Sequence, residues 1–210
     1  MQGIVSEAGD GASRPRLWQP HAMILEGLVT TCDAEGRIHL AAMGPEVDEA
    51  DVARGTVARL VLKPFATSQT ATNLARLGAG VFHAVDDALL ISRVVTGAAG
   101  PPPAARPASA VQGWVLEDAC RAFEFEIAAA DRAGERQRLE ARVVATHAGR
   151  PFVGLNRATH AVVEGAILVT RVHLLGAEEV RRRLADLAVL VEKTGGERER
   201  EAFRLLVGQV

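Results

Sequence analysis

The segment Lys63-Pro64-Phe65-Ala66-Thr67-Ser68-Gln69-Thr70-Ala71-Thr72-Asn73 gathers one ammonium and four hydroxyls between an apolar run and a helical spacing. Donors that converge on a helix N-terminus make an anion site, because the first amides lack intrahelical acceptors and the helix dipole favours negative charge. Each charge-assisted hydrogen bond to a phosphate contributes about 1.5–3 kcal/mol. An N-capped helix with a Ser/Thr-rich approach accounts for the same spacing, and no Walker-type or dinucleotide-type glycine pattern accompanies it. The chain has two lysines, Lys63 and Lys193, against 22 arginines, so the position of each lysine carries information. Asn156-Arg157-Ala158-Thr159-His160 opens a second helix with polar side chains and is a further edge that could face a ligand.

Other chemistries find less support. The histidines fall at no metal-ligand spacing, so no metal site is expected. His39 and His83 sit inside apolar strands, where a hydrogen-bonded structural role is the commoner one. Asp86-Asp87 reads as turn chemistry. Cys32 and Cys120 are far apart with no CxxC partner, as in a reduced cytoplasmic protein.

These groups need a scaffold, and the composition supplies one. With 210 residues, 48% apolar and 24% charged, the chain can bury a substantial core. A net charge of −2, no Tyr and 4% aromatic residues exclude a dedicated nucleic-acid binder with a base-stacking surface. The most apolar stretch, 161–175, is broken by Glu164, Arg171 and His173 and is too short to cross about 30 Å of hydrocarbon. No membrane contact is expected. Residues 1–20 are polar and Gly/Pro-rich and read as a flexible tail.

Met23–Thr31 and Arg37–Met43 flank Asp33-Ala34-Glu35-Gly36 and predict a hairpin that ends at Gly44-Pro45. The acidic stretch 46–51 suits a solvated loop, and Val57–Leu62 is a third strand. Ala71, Leu74 and Leu77 predict a short helix capped by Thr67 or Ser68 and stopped by Gly78. Val81–Val85 and Leu89–Val95 read as another hairpin around Asp86-Asp87. Residues 97–110 form a Pro/Ala-rich connector or loop. Cys120–Ala129 and Arg136–Thr146 predict a third hairpin, in which Phe123, Phe125 and Ile127 alternate with Glu124 and Glu126 as buried and solvated faces. After Asn156, a candidate N-cap, the period becomes helical, and two more helices are expected over about 177–194 and 197–207.

The succession EGLVTT, GRIHLAAMGPEVD, LVLKPFATSQTATNL and GVFHAVDDALLISR resembles the FMN-binding split-barrel superfamily. It is most similar to the branch known as the domain-of-unknown-function family four-four-seven, and GRPFVGLNRATHAVVEGAILVTRVHLL and VEKTGG resemble the same branch. The resemblance covers 23 to about 205. It implies an α+β fold: a six-stranded, Greek-key split β-barrel over 21–175, a short helix after the third strand, and a C-terminal helical hairpin over 176–210 packed on the barrel. It further implies FMN as cofactor, bound in a homodimer, and a flavin-dependent oxidoreductase acting on a small molecule, with a link to tetrahydromethanopterin-type one-carbon metabolism. By the resemblance, Lys63, Pro64, Phe65, Thr67, Ser68, Thr70 and Asn73 match the phosphate and ribityl loop. Ala42, Met43 and Gly44 match the strand end along the isoalloxazine edge, and Asn156 and Arg157 reach toward the pocket. His160 and His39 are the candidate proton donors. Flavin reductases carry an acidic residue where Phe65 and Ala66 stand here, and the Arg-rich site of pyridoxamine-phosphate oxidases is not recognisable. The alternatives are a flavin-binding or sensing module without turnover, and a barrel that keeps only an anion site.

Overall fold

The computed structural model describes residues 22–210, so the tail expected over 1–20 lies outside the described residues. The first four strands are the halves of one long bent hairpin. β2 (Leu28–Cys32) pairs with β3 (Ile38–Ala42), and β1 (Ala22–Ile24) pairs with β4 (Glu46–Asp48). Backbone bonds from Met43 N–H to Gly27 (3.0 Å) and from Leu25 N–H to Pro45 (3.2 Å) carry the ladder across the bend. Glycine is required there. A Cβ at Gly27 would collide with the carbonyl oxygen of His83, and one at Gly44 would lie 2.5 Å from Ile24 Cγ2. The Asp33 carboxylate shapes the hairpin turn by accepting from the amides of Glu35 and Arg37.

The chain continues through α1 (Glu49–Ala53), β5 (Arg59–Leu62), α2 (Gln69–Leu77), β6 (Ala79–Ala84), α3 (Ala88–Thr96), β7 (Ala105–Pro107), β8 (Trp114–Leu116), β9 (Arg121–Asp131) and β10 (Arg138–Ala148). The helices α4 (Arg157–Thr170), α5 (Val172–Leu175), α6 (Ala177–Thr194) and α7 (Glu197–Val207) complete it. The main sheet is antiparallel with the order β1-β4-β5-β10-β9-β6-β2-β3. Both ends of that order belong to the same bent hairpin, so the sheet curls back on itself as a split barrel. The split barrel is as expected but the strand count is not: the curled sheet has eight strands and a separate two-stranded ribbon adds β7 and β8, where six were expected, because the bends at 25–27 and 43–45 divide the first two long strands.

Val29, Leu60, Leu62, Phe82, Phe123, Phe125 and Leu139 fill the barrel, and Leu74 of α2 closes one end of this cluster. Fully burying one such side chain stabilises by about 1.5–3 kcal/mol. Leu28 faces the other way, into a second core shared by α3, α4, α6 and α7. The C-terminal helices of this layer begin at Arg157, ahead of the 176 expected for the helical hairpin, with Asn156 as N-cap (Oδ1 to Ala158 N–H, 2.8 Å), and α6 and α7 fall where the apolar spacing put them.

Three local expectations are corrected. Residues 89–95 are helical, not a strand: the Asp87 carboxylate caps the Leu90 amide at 3.0 Å and Gly97 ends the helix with φ 66°. A short apolar run rich in branched residues does not by itself distinguish strand from buried helix. The acidic stretch 46–51 is β4 and α1, not a loop, because Asp48 caps the amide of Ala50. The connector 97–110 contributes β7, which pairs with β8 as a ribbon strapped over the outer face of β6 and β9.

Glu124 secures that strap. The alternation placed it on a solvated face, yet it is 0% exposed. Its carboxylate accepts from the amides of Ser109 (2.7 Å), Ala110 (2.6 Å) and Val111 (3.0 Å), from the Ser109 hydroxyl (2.8 Å) and from His147 Nε2 (2.6 Å). Burial pushes this carboxyl up, and the bonds from Ser109, His147 and Ala110 more than reverse it, to about 2. His83 anchors the other side: its Nε2 accepts from the Leu116 amide at 3.0 Å, which leaves the proton on Nδ1, 3.3 Å from the Leu28 carbonyl. Burial lowers its pKa to about 4, so it is a neutral structural histidine.

Candidate functional site

Pro64 ends β5, and the β9–β10 turn grips the loop that follows. Gln137 N–H donates to Pro64 (3.0 Å) and Ala66 N–H to Glu135 (2.8 Å). The Arg136 guanidinium lies 3.7 Å from the Phe65 ring centroid and donates to the Lys63 carbonyl at 3.1 Å. Ser68 then caps α2: its hydroxyl donates to the Phe65 carbonyl (2.7 Å) and accepts from the Ala71 amide (3.1 Å). The amides of Gln69 and Thr70 come before the first intrahelical acceptor and head the helix.

Thr70 and Asn73 are buried on the opposite side of α2. Asn73 donates to the Thr31 hydroxyl at 2.9 Å and accepts from Gln69 Nε2 at 2.8 Å. The Thr70 hydroxyl meets His39 Nε2 at 3.3 Å, and burial holds His39 below the usual imidazole range against the pull of Asp33. Ser68, Thr70, Asn73 and His39 therefore knit α2 to the barrel, while Lys63 and Thr67 stand exposed at its head.

The strand end Ala42–Gly44 belongs to the same wall. β4 and β5 pair at Glu46↔Val61, and that register, continued by two residues, sets Gly44 opposite Lys63. The Glu46 carboxylate forms an ion pair with Lys63 and lies 3.4 Å from Arg138, which in turn reaches Glu140 at 3.4 Å. Ala42 is exposed, and Met43 turns toward the barrel core. Beside Gly44 lies the Glu26 carboxylate. Partial desolvation pushes its pKa up, Glu164 of α4 adds to the rise, and Arg171 at the C-cap of α4 opposes it.

Glu164 of α4, and Arg171 just past its last residue, are the charges from this side that act on Glu26. Asn156 ties the start of α4 to the end of α6 (Nδ2 to the Thr194 carbonyl, 3.3 Å), about 12 Å of helix before Glu164. Arg157 and His160 are exposed on the face that also carries Glu164. The spacing argument missed Glu26, Glu46, Arg136 and Arg138. Lone charges in strands carry no local signature, and only the register unites them. A shallow apolar hollow of about 530 Å³, lined by Ala84, Val85, Cys120 and Phe152 among others, holds none of the candidate cofactor-binding or proton-donating residues. Among the described residues, no group of His, Cys, Asp and Glu could hold a metal ion, and no helix is long and apolar enough to cross a membrane.

Comparison with known proteins sets these features in context. No curated protein matches the chain in sequence. Its structure is similar to that of an FMN-bound protein of family DUF447 from Methanosarcina mazei, with a TM-score of 0.74 and 19% identity over 89% of this chain and 95% of that one. It is also similar to the styrene monooxygenase flavin reductase from Pseudomonas putida S12, with a TM-score of 0.51 and 16% identity over 61% of this chain and 82% of that one. At these identities the likeness shows the split-barrel fold. The profile "Protein of unknown function (DUF447) N-terminal domain" matches residues 25–150, and "Protein of unknown function (DUF447)" matches residues 156–208. The barrel, the helical layer and the order of their elements thus all have counterparts in one family, and the chain belongs to DUF447.

Proposed function

We propose that this chain binds FMN along the wall between Lys63 and Gly44 and works as a flavin-dependent oxidoreductase on a small molecule. The observation that carries this reading is an exposed ammonium at a capped helix N-terminus, ion-paired to Glu46 of the strand that begins just after Gly44. The FMN-bound family member from Methanosarcina mazei supports the choice of cofactor.

The donor set suits a phosphate monoester. Lys63, the Thr67 hydroxyl and the leading amides of α2 supply positive charge and donors, and Ser68 keeps those amides aligned. Lys63 can turn from Glu46 to a phosphate without stranding the carboxylate, because Arg138 is already within reach of it. Pro64 and Phe65, held by Arg136, fix the loop. Gly44 lets a flat ring approach the backbone, and Ala42 and Met43 border it. Thr70 and Asn73 act from beneath by holding α2. Bound FMN would supply the redox chemistry, and the protein orients it and limits solvent access. Exposed Met23, Ile24 and Ile38 on the two open strand edges suit a second copy of the chain, so the reading includes a homodimer. Its setting is cytoplasmic, and a pterin-type acceptor is the most specific substrate class the family resemblance offers.

The test is a titration of the purified chain with FMN, followed by flavin fluorescence. Lys63→Ala combined with Ser68→Ala is expected to weaken binding by about tenfold or more. Unchanged affinity moves the phosphate elsewhere, and a wild-type chain that ignores FMN overturns the reading. Anaerobic mixing of the reduced complex with NAD(P)⁺, dioxygen and pterins then separates an enzyme from a flavin-binding module.

A further inference from the structure

We propose that the cavity beneath the β7–β8 strap is a second ligand site, which takes a short-chain monocarboxylate together with one proton. The inference is independent of the flavin reading, because none of its residues belongs to the Lys63 wall. The cavity has a volume of about 170 Å³ and lies between the strap and the place where β9 begins and β10 ends. Cavities of about 150 Å³ admit a six-carbon ring, so a ligand of about six heavy atoms fits. Its walls are already fixed. Leu116 N–H donates to His83 Nε2 at 3.0 Å, Glu117 N–H to the Ala104 carbonyl at 2.9 Å, and Gly149 N–H to the Cys120 carbonyl at 3.0 Å. Val115, Leu116, Ala119 and Ala122 supply apolar surface, and Ala122 pairs with His147 across β9 and β10.

Arg106 and His147 form the polar wall of the cavity. A guanidinium can only donate, so the 3.2 Å contact of Arg106 Nη2 with His147 makes Nδ1 the acceptor. The proton of the neutral ring is then on Nε2, which donates to Glu124 at 2.6 Å. Glu124 is sealed from solvent and held by the amides of residues 109–111. It therefore fixes the ring, and Nδ1 stays on the cavity side with Arg106.

A guanidinium that donates to a neutral ring has a better partner in a carboxylate. The carboxylate takes the N–H groups of Arg106, while His147 Nδ1 gains one proton from solvent and donates it in a hydrogen bond to the same carboxylate. The ligand thereby replaces the contact between Arg106 and His147. Glu124, Arg106 and His147 together carry no net charge before binding, and with the carboxylate and the proton added they carry none after it. The other titratable groups around His147 are His83 on β6, which is neutral, and Glu117 past β8, which lines the same cavity. The Glu117 carboxylate disfavours a dianion such as phosphate, and the apolar walls favour a hydrocarbon tail. A short monocarboxylate satisfies both.

The test uses the purified chain without flavin, butyrate as the probe, and the His147 ring-proton NMR signal as the readout. Butyrate should shift that signal saturably, and at pH values where free His147 is neutral its affinity should fall about tenfold per pH unit. Arg106→Gln should weaken binding by about tenfold or more, and Ala122→Leu, which fills the cavity, should abolish it. Glu117→Gln should tighten binding about twofold and let inorganic phosphate compete. A wild-type signal that butyrate leaves unmoved overturns the proposal. So does an affinity that is constant with pH or survives Arg106→Gln. Should Ala122→Leu fail to fold, the exposed Arg106 position and the pH dependence decide the matter without it.

Discussion

Glu124 and Glu26 both project from the outer surface of one barrel, and they meet opposite treatment. Glu124, under the β7–β8 strap, is sealed from solvent and receives five hydrogen bonds. Glu26, exposed beside Gly44, receives none among the described residues and has the Glu164 carboxylate as a like charge acting on it. The first arrangement resembles a tie-rod: each donor fixes backbone that has no other reason to lie there. The second contributes little to folding and leaves a carboxyl free to exchange a proton. The acid that solvent cannot reach is fully bonded by the protein, and the exposed one is left to water.

Removing the two side chains should separate them most clearly. Glu124→Ala strands three amides and His147 and is expected to cost about 3–5 kcal/mol in urea unfolding at neutral pH, whereas Glu26→Ala should stay within about 0.5 kcal/mol. A Glu124→Ala chain as stable as wild type would end the distinction. The two glycine bends repeat it on a smaller scale. Gly27→Ala drives a methyl into the His83 carbonyl and should destabilise by about 2–3 kcal/mol. At Gly44 the methyl meets side chains only, the stiff Ile24 Cγ2 and the movable Glu26 carboxylate, so Gly44→Ala should cost less than Gly27→Ala, about 1–2 kcal/mol, while weakening FMN binding.

The smallest effect is the most diagnostic, because the two acids differ in sign. The folded-state pKa of Glu124 is depressed to about 2 from 4.5, so its contribution is present above pH 4.5 and disappears as pH falls toward 2. Glu26 is raised, so its contribution is present below pH 4.5 and is lost as pH rises through the folded value. Unfolding free energy measured against pH should therefore flatten on its acid limb in Glu124→Gln and on its neutral limb in Glu26→Gln. If both variants flatten the same limb, the contrast fails.

Much of the fold was legible where the signal is local. The caps at Ser68 and Asn156, the stops at Gly78 and Gly195, and the helical period of α6 and α7 each need only a few neighbouring residues. The strap was not legible, because what holds residues 109–111 is a glutamate 13 to 15 positions away whose strand alternation pointed it at solvent. Helix α3 was hidden by its own composition, since Leu89–Val95 suits either element until Asp87 is seen to cap it. At the candidate site the spacing put Lys63 and Ser68 at one helix head, and Gly44 at a strand end. That Glu46 meets Lys63 and Arg138, and that Glu26 lies beside Gly44, are facts of register and bend that no window of sequence contains.

The exposure of Lys63 also makes the wall chemically addressable. In a chain with two lysines, an amine-selective acylating reagent has few targets: Lys63, Lys193 at the exposed end of α6, and the chain's own amino terminus. Lys193 lies on the helical layer, away from the Lys63 loop, so the ratio of label at the two lysines is an internal gauge of occupancy. A ligand that draws Lys63 away from Glu46 protects one amine and not the other, and mass spectrometry of a single digest reads its arrival without any coloured or fluorescent group.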